Sequence, residues 1–500
     1  MGPNQLEHLD VLIVGAGLSG IGAAYRLQTQ SPDRSYAILE ARDAIGGTWD
    51  LFRYPGIRSD SDMFTLGFPF RSWAGKAIAD GPDILEYVTE TAAAFGIDKH
   101  IRFGQRVLRA SWSSQTALWT VETGDSSYTC SFLYSCSGYY DYDQGYVVDF
   151  PGQDEFQGQV VHPQHWPEDL DYTGKRVVVV GSGATAVTLV PAMAGTAAHV
   201  TMLQRTPSYI ASRPAADAFA NRVRGVLPEK LAHRVVRTKN IALSTLTYSA
   251  FRKFPAHAAW LLNRMAAQQL PDSIPADPHF VPRYKPWDQR LCLVPDSDLF
   301  RALRAGTASV VTDEIERFTP TGLLLKSGAE LEADVVVTAT GLKMVALGKI
   351  ELTVDGRPVP VSETFVYRGL MLSGVPNLAW CVGYTNNSWT LRSDLSSQFV
   401  TRLLNHLRAT GTDICVPEID PAEYDAPRRP VVDLSSGYIQ RAAAILPRQG
   451  PNGPWRLRQN YPRDLVTFRF GAIEDGVLKF SRATGPAQEA ADRRTAHSGG

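Results

Sequence analysis

Two glycine-rich turns have the residue types and the spacing that bind dinucleotides: GAGLSG at residues 15–20 and GSGATA at residues 181–186. In such a turn the first glycine permits the tight bend, and the second lets the backbone approach a diphosphate. A small third residue lets the following helix pack on its strand. The diphosphate then lies at a helix N-terminus, where free N–H groups and the helix dipole favour negative charge. Two such turns predict two nucleotide cofactors and therefore redox chemistry.

The segments around the first turn must position it. Residues 10–14 are typical of a buried strand, residues 21–30 place apolar side chains on one helical face, and residues 35–39 are typical of a second strand. That strand ends in Glu40, whose carboxylate would bind ribose hydroxyls and repel a 2′-phosphate. The first site is therefore predicted to bind FAD or NAD. The alternative is an ordinary turn before a structural helix, which the register of strand, helix and acid disfavours.

The stretch that follows Glu40 distinguishes FAD from NAD. Residues 46–60, GGTWDLFRYPGIRSD, combine glycines with large aromatics and have no clear helical or strand period. Such a segment can lie flat against an isoalloxazine ring, and an NAD domain has no need of it. FAD is therefore the better prediction; the alternative is a surface loop, where so many aromatic residues would be unusual.

The second turn has a different residue at the corresponding strand end. Residues 175–180 are predicted to form its leading strand, and the next strand, residues 199–203, is followed by Gln204, Arg205 and Thr206. A guanidinium and a hydroxyl match a 2′-phosphate, because guanidinium binds phosphate oxygens in bidentate fashion. The second cofactor is therefore predicted to be NADPH. The alternative for Arg205 is an ordinary solvated surface charge.

The composition excludes several other classes of protein. Fifty basic and 51 acidic residues among 500, with 44% hydrophobic residues, predict two or three domains and no nucleic-acid binding. Five cysteines without a CxxC pair argue against a disulfide framework, a zinc site or a dithiol centre, and favour a cytosolic setting. No signal peptide and no apolar stretch of about 18 residues is seen, so we expect a protein without a transmembrane segment.

Two further segments have competing interpretations. His162 and His165 have the HxxH spacing of a metal site, but the prolines beside them favour an extended chain and no third ligand is evident, so no metal is predicted. Residues 221–264 have a helical pattern with nine basic residues and one acid, Glu229. They predict a helical insertion with a solvated positive face; the alternative is a surface that contacts a membrane or a partner. The tail from Ala483 is expected to be frayed.

Two longer motifs resemble the signatures of type I Baeyer–Villiger monooxygenases, which are flavoproteins that use FAD and NADPH. They are FxGxxxHxxxWP at residues 156–167 and GGxWxxxxYPGxxxD at residues 46–60. The resemblance covers nearly the whole chain and is closest to the mycobacterial ethionamide-activating monooxygenases, through GGTWDLFRYPGIRSDSD, HPQHWPEDLDY, KPWDQRLCLVP and GYTNNSWTLRSDL. Flavin-containing amine and sulfide monooxygenases share the plan but usually end the linker motif in an aromatic residue and lysine, where this chain has Trp166-Pro167.

The turn pattern and the resemblance together assign residues to the two cofactors. For FAD they are Gly15, Gly17, Ser19, Gly20, Glu40, Gly47, Thr48, Trp49, Asp60 and Val107. For NADPH they are Arg58, Ser59, Gly181, Ser182, Gly183, Ala184, Thr185, Ala186, Val187, Arg205, Thr206 and Trp389. The resemblance implies that Trp389 reaches toward the nicotinamide ribose, that His162 orients the inter-domain linker, and that residues 334–341 return the chain to the FAD domain.

The resemblance also implies a catalytic arginine, Arg290, with Asp60 beside it. In the family, reduced flavin and oxygen form a C4a-peroxide that must stay anionic to attack a carbonyl. A permanently protonated guanidinium stabilises that anion without donating its proton, whereas lysine or histidine could quench it. Asp60 would hold Arg290 in place and partly neutralise it when the anion is absent.

These observations predict an α/β fold with two Rossmann-like domains and a helical insertion in the NADPH domain. The expected FAD domain is residues 1–145 and 336–482, the NADPH domain 146–215 and 284–335, the insertion 216–283, and the flexible tail 483–500. The expected reaction inserts oxygen beside a ketone carbonyl to give an ester or lactone, and also oxidises sulfides or thioamides. The alternatives are a flavin N- or S-monooxygenase without ester formation, an electron-transferring oxidoreductase, and a nucleotide sensor. The oligomeric state and the natural substrate stay open.

Overall fold

Runs of buried aliphatic residues form the central strands of two separate sheets. The computed structural model of the chain describes residues 6–424, 429–432 and 435–485. Most of the tail predicted to be frayed, residues 486–500, lies outside the described residues. The predicted α/β class, with two Rossmann-like units, is confirmed.

The N-terminal segment supplies most of the first sheet. Its elements are β1 (Glu7–Val14), α1 (Leu18–Gln30), β2 (Tyr36–Leu39), α2 (Thr48–Leu51), α3 (Met63–Leu66), α4 (Gly81–Ala94), β3 (Ile101–Arg102), β4 (Arg109–Ser113), β5 (Leu118–Glu122) and β6 (Ser127–Ser135). Strand β1 pairs in parallel with β2 and β6, while β4, β5 and β6 are antiparallel. The expected helix at residues 21–30 begins three residues earlier, because the last residues of the glycine turn are already helical. The stretch at residues 46–60, for which no period was found, includes the single-turn helix α2.

The middle of the chain forms a second, fully parallel sheet. Its elements up to the insertion are β7 (Gln159–Val161), β8 (Arg176–Val180), α5 (Ala184–Met193), β9 (His199–Gln204) and β10 (Ile210–Arg213). The insertion contains α6 (Ala218–Val226), α7 (Glu229–Lys253), α8 (Pro255–Ala267) and α9 (Ala276–His279). After it come β11 (Cys292–Pro295), α10 (Asp298–Arg304), β12 (Ala308–Thr312), β13 (Ile315–Thr319), β14 (Gly322–Leu325), β15 (Glu330–Glu332) and β16 (Val335–Thr338). The parallel sheet has the order β12-β9-β8-β16-β7, whereas β10 and β11 form a separate two-stranded sheet and β13, β14 and β15 form a separate antiparallel sheet.

Strand β16 belongs to this second sheet, which changes one predicted boundary. Its residues are buried throughout and pair in parallel with both β7 and β8, as expected for a strand covered on both faces. The predicted division at residues 335/336 would cut the strand, so the chain returns to the first sheet only after Thr338. The other predicted domain boundaries remain predictions.

The C-terminal segment completes the first sheet and packs a long helix on it. Its elements are β17 (Glu351–Val354), β18 (Arg357–Pro358), β19 (Val366–Tyr367), β20 (Met371–Leu372), β21 (Leu378–Trp380), α11 (Trp389–Thr410), β22 (Ile414–Pro417), β23 (Arg429–Pro430), α12 (Gly437–Ala442), β24 (Arg448–Gln449), α13 (Tyr461–Phe470) and β25 (Leu478–Ser481). Strand β17 pairs with β4, and β21 pairs with β6. Helix α11 is buried over most of its length and packs against α1.

Polar contacts anchor the insertion to the first sheet's side of the molecule. The buried Arg237 guanidinium on α7 donates hydrogen bonds to the carbonyl oxygens of Phe64, Thr65 and Gly67, at 2.8, 3.2 and 2.7 Å. These carbonyls end α3, where the helix dipole favours a cation. Along the same face of α7, Asn240 donates to Asp62 at 2.9 Å. The helices of the insertion are therefore fixed beside the chain that leads from the first glycine turn.

Across residues 6–424, 429–432 and 435–485, no helix combines the length and the apolarity that crossing a membrane requires.

Candidate active site

The first glycine turn lies against one large cavity of about 590 Å³. Gly15 has φ +101°, and a Cβ at Gly20 would lie 1.8 Å from the carbonyl oxygen of Gly15, so both positions require glycine. Helix α1 begins at Leu18 with Gly17 as its N-cap and no side chain capping it. Its first N–H groups therefore point to the cavity wall, where Gly15, Gly17 and Ser19 lie. This arrangement fits the diphosphate of a dinucleotide.

Glu40 ends β2 at the edge of the same cavity and is 5% exposed. Its carboxylate accepts hydrogen bonds from the backbone N–H groups of Ala16, at 2.7 Å, and Arg42, at 3.0 Å. Burial raises the pKa of Glu40, and the two N–H donors only partly offset that rise. A buried carboxylate with further acceptor capacity fits ribose hydroxyls, which are uncharged donors.

The segment at residues 46–60 connects the two glycine turns. At one end Gly47 lies against Gly17, and the Thr48 hydroxyl lies 3.1 Å from the Tyr142 hydroxyl. At the other end a Cβ on Gly56 would lie 2.7 Å from the side chain of Ala192 on α5. Trp49, Asp60 and Val107 also line the cavity. The position of this segment fits a flavin placed between the two turns.

The second glycine turn is open on its outer side. Gly181 has φ +142°, and Gly183, the N-cap of α5, has nothing within 4 Å of a built Cβ. Ser182 donates to the backbone carbonyl of Thr206 at 2.8 Å, and this bond ties the turn to the end of β9. Arg205 and Thr206 are exposed there, and Arg205 has no ion pair among the described residues. Of residues 181–187, Ala184 and Thr185 reach the large cavity, and Ala186 and Val187 are buried. The turn fits a second diphosphate approached from outside.

Arg290 projects into the cavity between the two turns. Its Nη1 donates a hydrogen bond to Asp60 Oδ2 at 3.3 Å, and its Nε is buried without a partner among the described residues. Burial alone would lower the pKa of Arg290, but the negative charge of the Asp60 carboxylate raises it overall. The guanidinium therefore keeps its charge at physiological pH while one N–H donor stays available.

The loop that carries Arg290 is held from two sides. Asp288, two residues earlier, accepts a hydrogen bond from Arg252 of α7 at 2.8 Å. Its backbone carbonyl accepts one from the backbone N–H of Ser435, also at 2.8 Å. The Trp287 ring packs edge-on against Tyr248 of α7, with the centroids 5.2 Å apart. The insertion and the C-terminal segment therefore jointly set the position of Arg290.

Three of the residues expected at the NADPH site have partners within the protein. Arg58 pairs with Asp298 on α10 and donates to the carbonyl of Val187 at 3.4 Å. Ser59 is buried, and its hydroxyl accepts the N–H of Ala79 at 3.1 Å. Trp389 donates its indole N–H to Ser19 Oγ at 2.7 Å, so it lies beside the first turn. All three line the cavity, and their expected contacts with NADPH remain predictions.

A group of tyrosines around Arg290 was not predicted from the sequence. Tyr139 and Tyr140 line the cavity with hydroxyls 3.1 Å apart, and Tyr438 approaches from α12. Burial raises the pKa of Tyr438 to about 12 and the pKa of Tyr140 further, so these phenols stay protonated. The one sequence signal was the aromatic run GYYDY directly after the strand end at Cys136-Ser137-Gly138.

The expected linker motif includes β7, the edge strand of the second sheet, and the short helical turn after it. The Gln164 side-chain amide donates to the backbone carbonyl of Asp141 at 2.7 Å, and the backbone N–H of Gln164 donates to His162 Nδ1 at 3.2 Å. The His162 ring fills the space above Gly145, where a Cβ would lie 2.0 Å from it. Burial lowers the pKa of His162, so the ring is neutral near pH 7. Its contacts are those of a residue that fixes the linker.

Within the described part of the chain, no group of three or more histidine, cysteine, aspartate and glutamate side chains has metal-binding geometry. Cys292, which lies close to Arg290 in sequence, is buried, and its thiol faces the backbone carbonyl of Ser182 at 3.7 Å. Burial raises the pKa of this thiol to about 12, which leaves it protonated and unreactive.

Comparison with protein families gives two matches. The profile of the family described as flavin-binding monooxygenase-like matches residues 66–346. The profile described as NAD(P)-binding Rossmann-like domain matches residues 13–76, which contain the first glycine turn.

Similar proteins match over nearly their full length. The chain is 54% identical over 486 residues to the FAD-containing monooxygenase EthA of Mycobacterium tuberculosis, covering 96% of this chain and 99% of that protein. It is 48% identical over 485 residues to the probable FAD-binding monooxygenase AlmA of Acinetobacter baylyi, covering 96% and 97%.

Two solved structures share the fold. Oxidized steroid monooxygenase bound to NADP has a TM-score of 0.76 at 23% identity, and an open structure of cyclohexanone monooxygenase has 0.71 at 21%. Both comparisons cover 95% of this chain and 100% of the other chain. At these identities the likeness concerns the fold alone.

Proposed function

Because this chain belongs to the flavin-binding monooxygenase-like family, we propose that it is a Baeyer–Villiger monooxygenase dependent on FAD and NADPH. The reaction inserts one atom of molecular oxygen beside a ketone carbonyl and yields an ester or a lactone. The observation that carries the proposal is the Arg290 guanidinium, which projects into the cavity between the two glycine turns with its Nε unpartnered among the described residues.

The protein's contribution is to bind, orient and stabilise charge. When bound and reduced, FAD supplies the activation of oxygen. Around it, the cradle of the first turn and Glu40 hold the adenosine half, and the segment at residues 46–60 lies beside the expected ring position. Arg205, Thr206 and the second turn hold NADPH at its phosphates.

Arg290 stabilises the negative charge that develops on oxygen during the insertion. Its pKa is raised by the Asp60 carboxylate, so the guanidinium donates hydrogen bonds without giving up a proton. Asp60 accepts one of its N–H groups at 3.3 Å, a long bond that can give way as charge develops. The Tyr140 phenol, whose pKa burial raises, adds a neutral hydrogen-bond donor at the same wall.

Oxidation of sulfides or thioamides is proposed as a second activity of the same site. A divalent sulfur reacts with the same activated oxygen but forms no anionic carbonyl adduct. The rate of sulfur oxidation therefore depends less on Arg290. Phe251, Leu262 and Met265 give the cavity an apolar wall that accepts either kind of substrate. A flavin N- or S-monooxygenase without ester formation is the competing assignment.

The test is an NADPH-consumption screen of linear, cyclic and aryl ketones and sulfides, with products identified by mass. We expect Arg290→Ala to lower ester formation about 10²–10³-fold, as loss of one oxyanion donor does elsewhere, while reduction of the flavin by NADPH continues. Sulfoxidation should fall much less.

Arg283→Ala is the matched control, because Arg283 is exposed and has no ion pair among the described residues. If Arg290→Ala formed esters at the rate of the control, the proposed role of Arg290 would be wrong. If the unaltered enzyme oxidised sulfides but no ketone, the competing assignment would hold.

A further inference from the structure

The helical insertion carries a concentration of exposed apolar side chains. Half of the exposed large hydrophobic residues in the described chain lie within residues 216–283. Six of them lie on the second half of α7, on the turn after it, and on α8; we call this surface the apolar ridge. Its members are Leu243 (50% exposed), Leu246 (68%), Phe254 (52%), Trp260 (60%), Leu261 (41%) and Met265 (37%).

The spacing along α7 places three of these side chains on one face of the helix. Leu243, Leu246 and Phe254 recur at intervals of three and eight residues, which keeps them on one face of α7 and its C-cap. Helix α8 buries Ala258, Leu262 and Ala266, and Trp260 lies on the side opposite to them. The insertion already has its packed face, so the apolar ridge is a second apolar surface that folding does not require.

Arg252, at the end of α7, pairs with Asp288, but two other cations on the ridge have no acidic partner among the described residues. Lys253 and Arg264 are exposed, form no ion pair among the described residues, and lie 5.3 Å from the ring centroids of Phe254 and Trp260. Farther along α6 and α7, Arg222, Lys230 and Arg234 are also exposed and unpaired within the described chain. Glu229 is the one acidic residue between residues 221 and 264. An aromatic tip with a cation above it is typical of side chains at a membrane–water boundary.

The ridge adjoins the cavity. Leu261 and Met265 belong to the ridge and also line the cavity, and Leu243 and Leu246 each neighbour a cavity-lining residue on α7, Ser244 and Thr247.

We propose that the apolar ridge docks on the surface of an anionic lipid bilayer. The exposed apolar side chains would be buried in the lipid, and the unpaired cations would attract anionic headgroups. Neither contribution alone suffices for firm binding at physiological salt. A symmetric contact between two copies of the chain fits less well, because the same cations would face one another across the two-fold axis. The inference does not depend on the proposed reaction, since it rests on the surface alone.

The experiment is co-sedimentation of the FAD-loaded enzyme with phosphatidylcholine vesicles that either lack or contain phosphatidylglycerol. We expect binding to the anionic vesicles to be at least about tenfold stronger, and to weaken between low and high salt. The double variant Leu246→Glu/Trp260→Glu should lose most of it. Neither residue lines the cavity, so turnover of a water-soluble ketone or sulfide should be unchanged.

Phe470→Glu is the matched control, because Phe470 is a 76% exposed apolar residue on α13, away from the insertion. It should sediment with vesicles as the unaltered enzyme does. Size-exclusion chromatography of the unaltered enzyme and the double variant without lipid tests the alternative, in which the ridge binds a second copy of the chain. The proposal would be overturned if the double variant and Phe470→Glu sedimented equally with vesicles. It would also be overturned if the unaltered enzyme bound no vesicles but formed a dimer that the double variant could not form.

Discussion

The two glycine-rich turns share a motif and differ in their surroundings. The first is enclosed: Gly17 lies against Gly47, and the buried Glu40 accepts a hydrogen bond from the turn itself. The second is open: a Cβ at Gly183 would have no atom within 4 Å, and Arg205 is exposed. An enclosed site suits a cofactor that stays bound through many turnovers, and an open site suits one that exchanges with solution. The surroundings of a glycine-rich turn therefore indicate how long its cofactor stays bound, whereas the turn motif does not.

The largest contrast is expected from alanine in each turn. Gly20→Ala places a methyl group 1.8 Å from the Gly15 carbonyl oxygen, so strand and helix must separate. We expect little folded, flavin-loaded protein. Gly183→Ala meets nothing within 4 Å, so folding and flavin content should be unchanged. Its KM for NADPH should rise about tenfold, because the backbone approaches the diphosphate less closely.

The measurements are flavin absorbance per protein, thermal unfolding and steady-state kinetics. Equal flavin loss in Gly20→Ala and Gly183→Ala would erase the distinction between an enclosed and an open site.

The next effect concerns the exposed cation at the second site. Arg205→Ala should raise the KM for NADPH about 10–100-fold, the loss expected for charge-assisted bonds to a phosphate. The KM for NADH, which has no 2′-phosphate, should change little. Lys99→Ala is the control, since Lys99 is exposed and has no ion pair among the described residues. An equal change in KM for both nucleotides would assign Arg205 to general attraction of anions.

The smallest effect concerns the buried acid at the first site. Glu40→Gln should weaken FAD binding about tenfold, because an amide accepts ribose hydrogen bonds less strongly than a carboxylate. In the apo form glutamine loses one of the two backbone hydrogen bonds at every pH, so the burial penalty of the carboxylate is measured by how the stability difference changes with pH. Burial raises the folded-state pKa of Glu40, so the folded chain holds this proton more tightly than the unfolded chain does.

The pH dependence of that stability gives a direction to check. Below the unfolded pKa of about 4.3 both states are protonated, and glutamine offers no advantage from this source. As the pH rises through the folded pKa, the apo protein with Glu40 loses stability relative to the Glu40→Gln variant. Thermal unfolding of both apo proteins between pH 4 and pH 8 tests this. A constant difference across that range would show that Glu40 carries no burial penalty.

Local sequence predicted the parts of the fold in which a few neighbouring residues decide the conformation. The glycine positions, the strand before each turn and the acid or arginine at the next strand end all follow from short-range rules. Element bounds shifted by a few residues, as for α1, because the end of the turn is already helical. The placement of β16 was missed because its valine-rich run suits either sheet, and pairing with β7 and β8 decides the matter.

The site around Arg290 needed more than local sequence. Arg290 was selected through the family resemblance, since one arginine among many has no local signature. The structure brings it within 3.3 Å of Asp60, although 230 residues separate the two. Tyr139 and Tyr438 lie near the same guanidinium although each is about 150 residues from Arg290 in the chain, and neither segment has a local pattern that predicts this contact. The exposure of the apolar ridge could not be predicted from the sequence either, because a helical pattern does not show which of two apolar faces is covered.

The sequence by itself determined that this chain binds two dinucleotides, since steric demands on glycine and the charge at a strand end act over a few residues. Only the tertiary structure decided which turn is enclosed, which residues surround Arg290, and which apolar side chains of the insertion stay exposed. Those properties depend on packing between segments far apart in the chain, and packing depends on shape in three dimensions, which no local pattern encodes.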